Sequence, residues 1–122
     1  MKVLVATEKP FAVEAVEGIR KEIENAGNEL VLLEKYTETS QLLEAVKDVD
    51  ALIVRSDKVT KEILDAAVNL KIVVRAGAGY DSIDTDYARQ RGVVVENTPG
   101  QNSNAVAELV FGLLVYVARN FY

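Results

Sequence analysis

The sequence of 122 residues contains no cysteine and no histidine. Without cysteine, the chain can form no disulfide, no thiolate nucleophile and no cysteine-ligated metal site. Without histidine, it lacks the commonest general acid or base and the commonest protein ligand of transition metals. We therefore predict no metal site in this chain, and any acid-base chemistry in it would have to use other side chains.

Clusters of basic residues and long hydrophobic runs are also missing. The 14 lysines and arginines are scattered among 19 acidic residues, for a net charge of −5, so the chain lacks the basic stripe that binds nucleic acid. The longest apolar run, residues 105–118, includes Glu108 and is shorter than the roughly 20 residues of a membrane span. The N-terminus has no signal-peptide pattern. We expect a cytoplasmic protein with no nucleic-acid and no membrane partner.

Short apolar runs rich in β-branched residues alternate with helical patterns along the first hundred residues. This alternation predicts an α/β fold with a parallel sheet and helices on both faces. The commonest single-domain form is the flavodoxin-like, doubly wound, five-stranded sheet with strand order 2-1-3-4-5. The predicted strands are residues 2–6, 29–33, 51–54, 71–74 and 93–95.

Capping residues give the predicted limits of the helices between these strands. Pro10 suits the first turn of the first helix, and Gly27 its C-terminal end. The remaining predicted N-terminal caps are Thr39 or Ser40, Thr60, and Asp84 or Thr85, and Gly92 is the predicted end of the fourth helix.

The last helix, predicted over residues 103–120, has apolar residues on every side of its axis. A helix that is apolar all round must be buried on all sides. One small sheet covers only part of such a helix. We expect the rest to be covered by another domain, a second copy of the chain, or a continuation of the chain; burial within the core of its own domain is the alternative.

Polar and glycine-rich loops follow the third and fourth predicted strands, at the sheet edge where open α/β folds bind their ligands. An arginine in each loop can hold a carboxylate or phosphate, and the Gly-Ala-Gly turn lets a ligand approach the backbone closely. An exposed strand-end arginine and a simple connecting turn are the alternatives. The candidate residues for a small anionic ligand are Arg55, Ser56, Arg75, Gly77, Ala78 and Gly79.

Two other functions of this architecture are not supported. A phospho-acceptor receiver domain needs paired acids after the first strand and an aspartate after the third, where this chain has Thr7-Glu8 and Arg55. A flavin site needs a hydroxyl-rich phosphate loop after the first strand, and residues 7–10 offer one hydroxyl.

Several motifs together resemble the N-terminal part of the D-2-hydroxyacid dehydrogenase family, and most closely its members that oxidise 3-phosphoglycerate. The match runs in order from Met1 to Asn120. Its motifs are Val54-Arg55-Ser56, Arg75-Ala76-Gly77-Ala78-Gly79-Tyr80-Asp81, Ile83-Asp84, Gly92-Val93-Val94-Val95-Glu96-Asn97-Thr98-Pro99, and Asn102 with Ala107-Glu108-Leu109.

The resemblance implies a role for each candidate residue. Arg55 and Arg75 would contact a substrate phosphate, and the backbone of residues 77–79 would receive the carboxylate. Ala78 and Asn102 would lie near the NAD cofactor, although Ala78 lacks the hydroxyl of the threonine that the family often has there.

The resemblance also implies a division of the chain. Residues 1–100 would form the substrate-binding domain, and residues 101–122 an interface helix that leads into a cofactor-binding domain. The catalytic arginine, glutamate and histidine of the family, and its Gly-x-Gly-x-x-Gly loop, belong to that second domain. We thus expect no catalytic residue in these 122 residues. The alternative is a non-catalytic anion-binding or dimerisation module; a homodimer through residues 103–120 is expected in either case.

Overall fold

A computed structural model describes residues 1–101 and 103–119, in which five strands alternate with five helices. The strands are β1 (Lys2–Thr7), β2 (Glu29–Glu34), β3 (Ala51–Val54), β4 (Ile72–Arg75) and β5 (Val94–Asn97). The helices are α1 (Val13–Asn25), α2 (Thr39–Ala45), α3 (Lys61–Ala66), α4 (Thr85–Gln90) and α5 (Ser103–Ala118).

The strands form one parallel sheet in the order β2-β1-β3-β4-β5, which confirms the predicted topology. Each pair of consecutive strands is connected through a helix, as parallel pairing requires. All five strands therefore end at the same edge of the sheet. At this edge Val54 of β3 is level with Arg75 of β4, which is level with Asn97 of β5.

The main hydrophobic core lies between the sheet and the helices α2, α3 and α4. Leu4, Leu52 and Val73, from three adjacent strands, are completely buried in it. Alternate residues of β1, such as Val5, are also buried but do not belong to this core, because successive side chains of a strand point to opposite faces. Helix α1 contributes the buried Val16 outside this core.

Glycine and aspartate end or begin several elements as predicted. Gly27 and Gly92 have φ angles of +79° and +74°, in the left-handed region that glycine adopts without a steric penalty. Asp84 caps α4 by accepting a hydrogen bond of 3.0 Å from the Tyr87 N–H. Thr60 occupies the N-cap position of α3, although its side chain makes no capping bond.

Two predicted helix starts are wrong. Pro10 precedes α1 by three residues: the Thr7 hydroxyl donates to the Lys9 carbonyl at 2.6 Å, and α1 begins only after Ala12. Neither Thr39 nor Ser40 caps α2, because Glu38 is the N-cap. There the Gln41 side chain reaches back and accepts from the Glu38 N–H at 3.1 Å.

Helix α5 is exposed on most of its surface. Seven of its large apolar side chains are each between 51% and 71% exposed: Leu109, Val110, Phe111, Leu113, Leu114, Val115 and Val117. The alternative of a helix buried in its own domain is therefore wrong for the described side chains. In the part of the chain that the structure covers, no helix has both the length and the apolar character needed to cross a bilayer.

Candidate functional site

The sheet register brings the two predicted arginines to neighbouring strand ends. Arg75 is the last residue of β4, one residue later than the predicted strand end, and it pairs with Val54. Arg55 follows Val54 directly. The two main chains are thus adjacent, within the roughly 5 Å spacing of paired strands. Their guanidinium groups, however, contact different partners.

Arg55 is exposed, and its guanidinium carbon lies 5.9 Å from the centre of the Phe11 ring, in the loop before α1. This distance is typical of a cation–π contact, which leaves the N–H donors at the edge of the group accessible. Across residues 1–101 and 103–119, no ion pair includes Arg55. Ser56, also exposed, follows it. Arg55 therefore presents a positive charge at the sheet edge that is in no ion pair among the described residues.

The side chain of Arg75 is folded back over Gly77. Its Nη1 donates to the Ala76 carbonyl at 3.3 Å, and its Nε is buried without an acceptor among the described residues. A Cβ at position 77 would lie 1.3 Å from Nη1, so this arrangement of the guanidinium requires glycine there. Because a buried donor without a partner is unfavourable, an acceptor that reached Nε would stabilise the loop.

The loop of residues 77–79 is fastened to the end of β5 through its carbonyl groups. The Asn97 side-chain amide donates to the Ala78 carbonyl at 2.7 Å, and the Thr98 N–H donates to the Gly77 carbonyl at 2.9 Å. Within the described residues, the N–H groups of Ala78 and Gly79 meet no protein acceptor. The loop thus has fixed carbonyls and available amide donors beside Arg75. The remaining predicted cofactor residue, Asn102, lies outside the described residues.

The sequence interpretation missed Asp57 and Tyr36, which connect the loops beneath the Arg55 side of the site. The Asp57 carboxylate is 4% exposed and accepts from the Tyr36 hydroxyl at 2.6 Å. It also accepts from the N–H groups of Glu8 at 2.8 Å and Arg55 at 3.3 Å. Burial, reinforced by the bond to Asp57, raises the pKa of Tyr36 well above its usual value, so the phenol remains a donor.

Two further features bear on which ligands this part of the chain can hold. No cluster of three or more potential metal ligands occurs among the described residues. A cleft of about 580 Å³ follows the outer edge of β5, and its lining includes Tyr80, Arg89, Glu96 and Asn97. Its lining residue Asn97 also donates to the Ala78 carbonyl, but the lining includes neither Arg55 nor Arg75. The candidate anion site is therefore the loop edge itself.

Comparison with known proteins gives one consistent result. The family model of the D-isomer specific 2-hydroxyacid dehydrogenase catalytic domain matches residues 4–117. The hydroxypyruvate reductase of Thermotoga maritima is 44% identical over 93 residues, which are 75% of this chain and 30% of that protein. The D-3-phosphoglycerate dehydrogenase of Archaeoglobus fulgidus is 42% identical over 120 residues, which are 98% of this chain and 21% of that protein.

A solved structure agrees with these relatives. The NAD⁺-bound 3-phosphoglycerate dehydrogenase of Entamoeba histolytica superposes with a TM-score of 0.90 at 53% identity, covering 95% of this chain and 38% of that one. The chain thus spans less than a third of the length of the two curated relatives described above. Since the family model covers nearly the whole sequence, this chain belongs to the D-isomer specific 2-hydroxyacid dehydrogenase family.

Proposed function

We propose that this chain is the substrate-binding part of an NAD-dependent dehydrogenase that oxidises 3-phosphoglycerate to 3-phosphohydroxypyruvate, a step of serine biosynthesis in the cytoplasm. The observation that carries the proposal is the sheet edge, where Arg55 directly follows β3 and Arg75 ends the adjacent β4, beside the available amides of residues 78 and 79. Relatives named D-3-phosphoglycerate dehydrogenase favour this substrate. The hydroxypyruvate reductase and glyoxylate reductase relatives act on unphosphorylated acids, and they define the competing substrate class.

Each part of the site has a separate role in this proposal. The exposed Arg55 binds the phosphate, because a guanidinium can donate two parallel hydrogen bonds to an oxyanion. The amides of Ala78 and Gly79 receive the carboxylate in the same way as other concave backbone turns bind anions. Arg75 contributes the positive charge of its guanidinium beside the same ligand, and its buried Nε would donate only after the folded-back side chain moved.

The family uses NAD, which when bound accepts a hydride from the carbon that carries the hydroxyl. The described residues supply only an edge of a cofactor site. Residues 7–10, the end of β1 and the start of the loop after it, do not form a glycine-rich dinucleotide loop, and Ala78 offers its backbone but no hydroxyl. In our proposal these residues bind and orient the hydroxyacid, while the rest of a longer protein holds the dinucleotide and accepts the proton.

Replacing Arg55 by lysine is expected to weaken phosphate binding about tenfold, because an ammonium keeps the charge but loses the two-pronged hydrogen bonding. Calorimetric titration of the chain with 3-phosphoglycerate measures the effect. Arg20→Lys is the matched control, because Arg20 lies on α1 and pairs with Glu24 away from the sheet edge. Equal affinities for the wild type and Arg55→Lys would remove Arg55 from the site.

The 122-residue chain alone is expected to show no turnover of 3-phosphoglycerate with NAD. It has no histidine to accept the hydroxyl proton and no glycine-rich dinucleotide loop. Absorbance of NADH after prolonged incubation measures this directly, with buffer as the control. Activity that remained with the protein through a second purification would contradict the assignment of catalysis to residues outside this chain.

The second candidate function is a non-catalytic anion-binding or dimerisation module. Helix α5 favours it, because seven large apolar side chains are more than half exposed on this one helix. In either function we propose that α5 pairs with α5 of a second copy, because two-fold symmetry is the commonest arrangement of protein oligomers. Turnover by a longer protein containing this chain would separate the two candidates.

A further inference from the structure

Asp57 is a buried carboxylate, and none of the ion pairs in the described part of the chain includes it. A buried charge is unfavourable unless hydrogen bonds replace its water. Asp57 obtains these bonds from three neutral donors, the Tyr36 hydroxyl and the N–H groups of Glu8 and Arg55. The carboxylate is therefore satisfied by hydrogen bonds from neutral groups rather than by a salt bridge among the described residues.

The three donors come from three different loops. Glu8 follows β1, Tyr36 follows β2 and Arg55 follows β3, so Asp57 joins the carboxyl ends of three adjacent strands. The two carboxylate oxygens of Asp57 accept hydrogen bonds from different groups. Oδ1 accepts from Glu8 and Tyr36, whereas Oδ2 accepts from the main-chain N–H of Arg55. One oxygen thus anchors the carboxylate in the domain, and the other holds the backbone of Arg55.

We propose that Asp57 is a positioning residue for anion binding: it fixes the main chain of Arg55 and so determines the direction from which the guanidinium approaches the ligand. This inference rests on the proposed function, in which Arg55 binds the phosphate. The Arg55 side chain is exposed, and its guanidinium carbon lies 5.9 Å from the centre of the Phe11 ring. A fixed backbone leaves less of the residue to be ordered when the ligand binds, which lowers the conformational entropy that binding costs.

Asparagine at position 57 tests this division of the two oxygens. The asparagine side chain has the same shape, and its carbonyl oxygen can keep the bonds to Glu8 and Tyr36. Its NH₂ group then faces the Arg55 N–H, so a donor meets a donor. Tyr36→Phe is the matched variant, because it removes one bond at the other oxygen and leaves the Arg55 bond in place.

Titration with inorganic phosphate and with 3-phosphoglycerate, followed by backbone amide shifts, measures the effect on binding. Asp57→Asn is expected to raise the Kd of both ligands about five- to tenfold, and Tyr36→Phe to leave it within about twofold. Urea unfolding of both variants gives their stabilities. A Kd for Asp57→Asn equal to the wild type, or equal increases in both variants, would overturn the positioning role and leave Asp57 as a fold-stabilising residue.

Amide hydrogen exchange in the ligand-free wild type gives an independent test that does not need a folded variant. The Arg55 amide is expected to exchange at least tenfold more slowly than the adjacent Ser56 amide, which has no acceptor among the described residues. Equal exchange rates would overturn the proposal. A wild type that binds neither ligand would refute the proposed function and, with it, the positioning role, even if the Arg55 amide were protected. A wild type that binds the ligands while its Arg55 and Ser56 amides exchange equally fast would refute the positioning role alone.

Discussion

Leu52→Ala is expected to lower the free energy of unfolding by about 2–5 kcal/mol, a large fraction of the roughly 5–15 kcal/mol of a typical domain. Leu52 lies in β3, the middle strand of the sheet, and is completely buried beneath α2, α3 and α4. Truncation there removes apolar contacts and leaves a cavity that neighbouring strands cannot close. Urea unfolding followed by circular dichroism measures the change as a shift of the midpoint at constant slope.

Leu32→Ala is the matched control for this prediction. It makes the same chemical change in the same sheet, but Leu32 lies in the edge strand β2 and is 37% exposed. We expect a loss of roughly 1 kcal/mol there, because part of the side chain is already in water and little cavity can form. Equal losses at the two positions would show that the core between the sheet and α2–α4 does not supply the main stability of the domain.

The parallel sheet could be predicted because the evidence for it is local and repeated, whereas its strand order was predicted as that of the commonest single-domain form. Each strand is a short run rich in β-branched residues, and each is followed by a helical pattern, which leaves parallel pairing as the consistent arrangement. Gly27 and Gly92 fixed two helix ends, because both positions need a positive φ angle. These signals depend only on neighbours in sequence.

Helix starts were harder to predict where several polar residues compete. Thr39 and Ser40 are both good caps by residue type, yet Glu38 is the N-cap, because the Gln41 side chain binds its N–H. Pro10 has a favourable φ for a first turn, but the Thr7 hydroxyl bond to Lys9 forms a separate turn first. In each case a side-chain contact, not the intrinsic preference of one residue, decides the boundary.

The candidate site likewise has residues that could be predicted from the sequence and residues that could not. Arg55 follows β3 and Arg75 ends the adjacent parallel strand β4, so their common location can be predicted from the strand order. Asp57 could not be predicted, because its donors Glu8 and Tyr36 lie 49 and 21 residues away in sequence. No spacing or composition rule marks an aspartate that accepts bonds from three separate loops. The folded-back conformation of Arg75 could not be predicted either, because it is defined by the position of the guanidinium over Gly77 in the structure.

Helix α5 carries the second large expected effect. Its seven exposed apolar side chains extend over most of its circumference, so the apolar surface is not confined to one narrow face. Each such side chain left in water forfeits roughly 1.5–3 kcal/mol of burial free energy. Four of them together therefore forfeit an amount comparable to the net stability of a whole domain. Association with α5 of a second copy is the simplest way to bury them.

Phe111→Glu combined with Val115→Glu is expected to convert a self-associating chain into a monomer at high micromolar concentration. The two residues are one turn apart on α5, 71% and 55% exposed, so the new carboxylates would place like charges on the same stretch of the pairing surface. Sedimentation velocity measures the change as a loss of the faster species. Hydrogen exchange of α5 should rise at the same time, because an unpaired helix opens more readily.

Val13→Glu combined with Val68→Glu is the matched control, because it adds the same two charges at exposed valines outside α5, which are 73% and 68% exposed. This variant is expected to associate like the wild type. If it dissociated equally, net charge rather than the α5 surface would determine association. A wild type that remained monomeric while the amides of α5 were protected from exchange would contradict pairing through α5, since the helix would then be stable without a second copy to cover it.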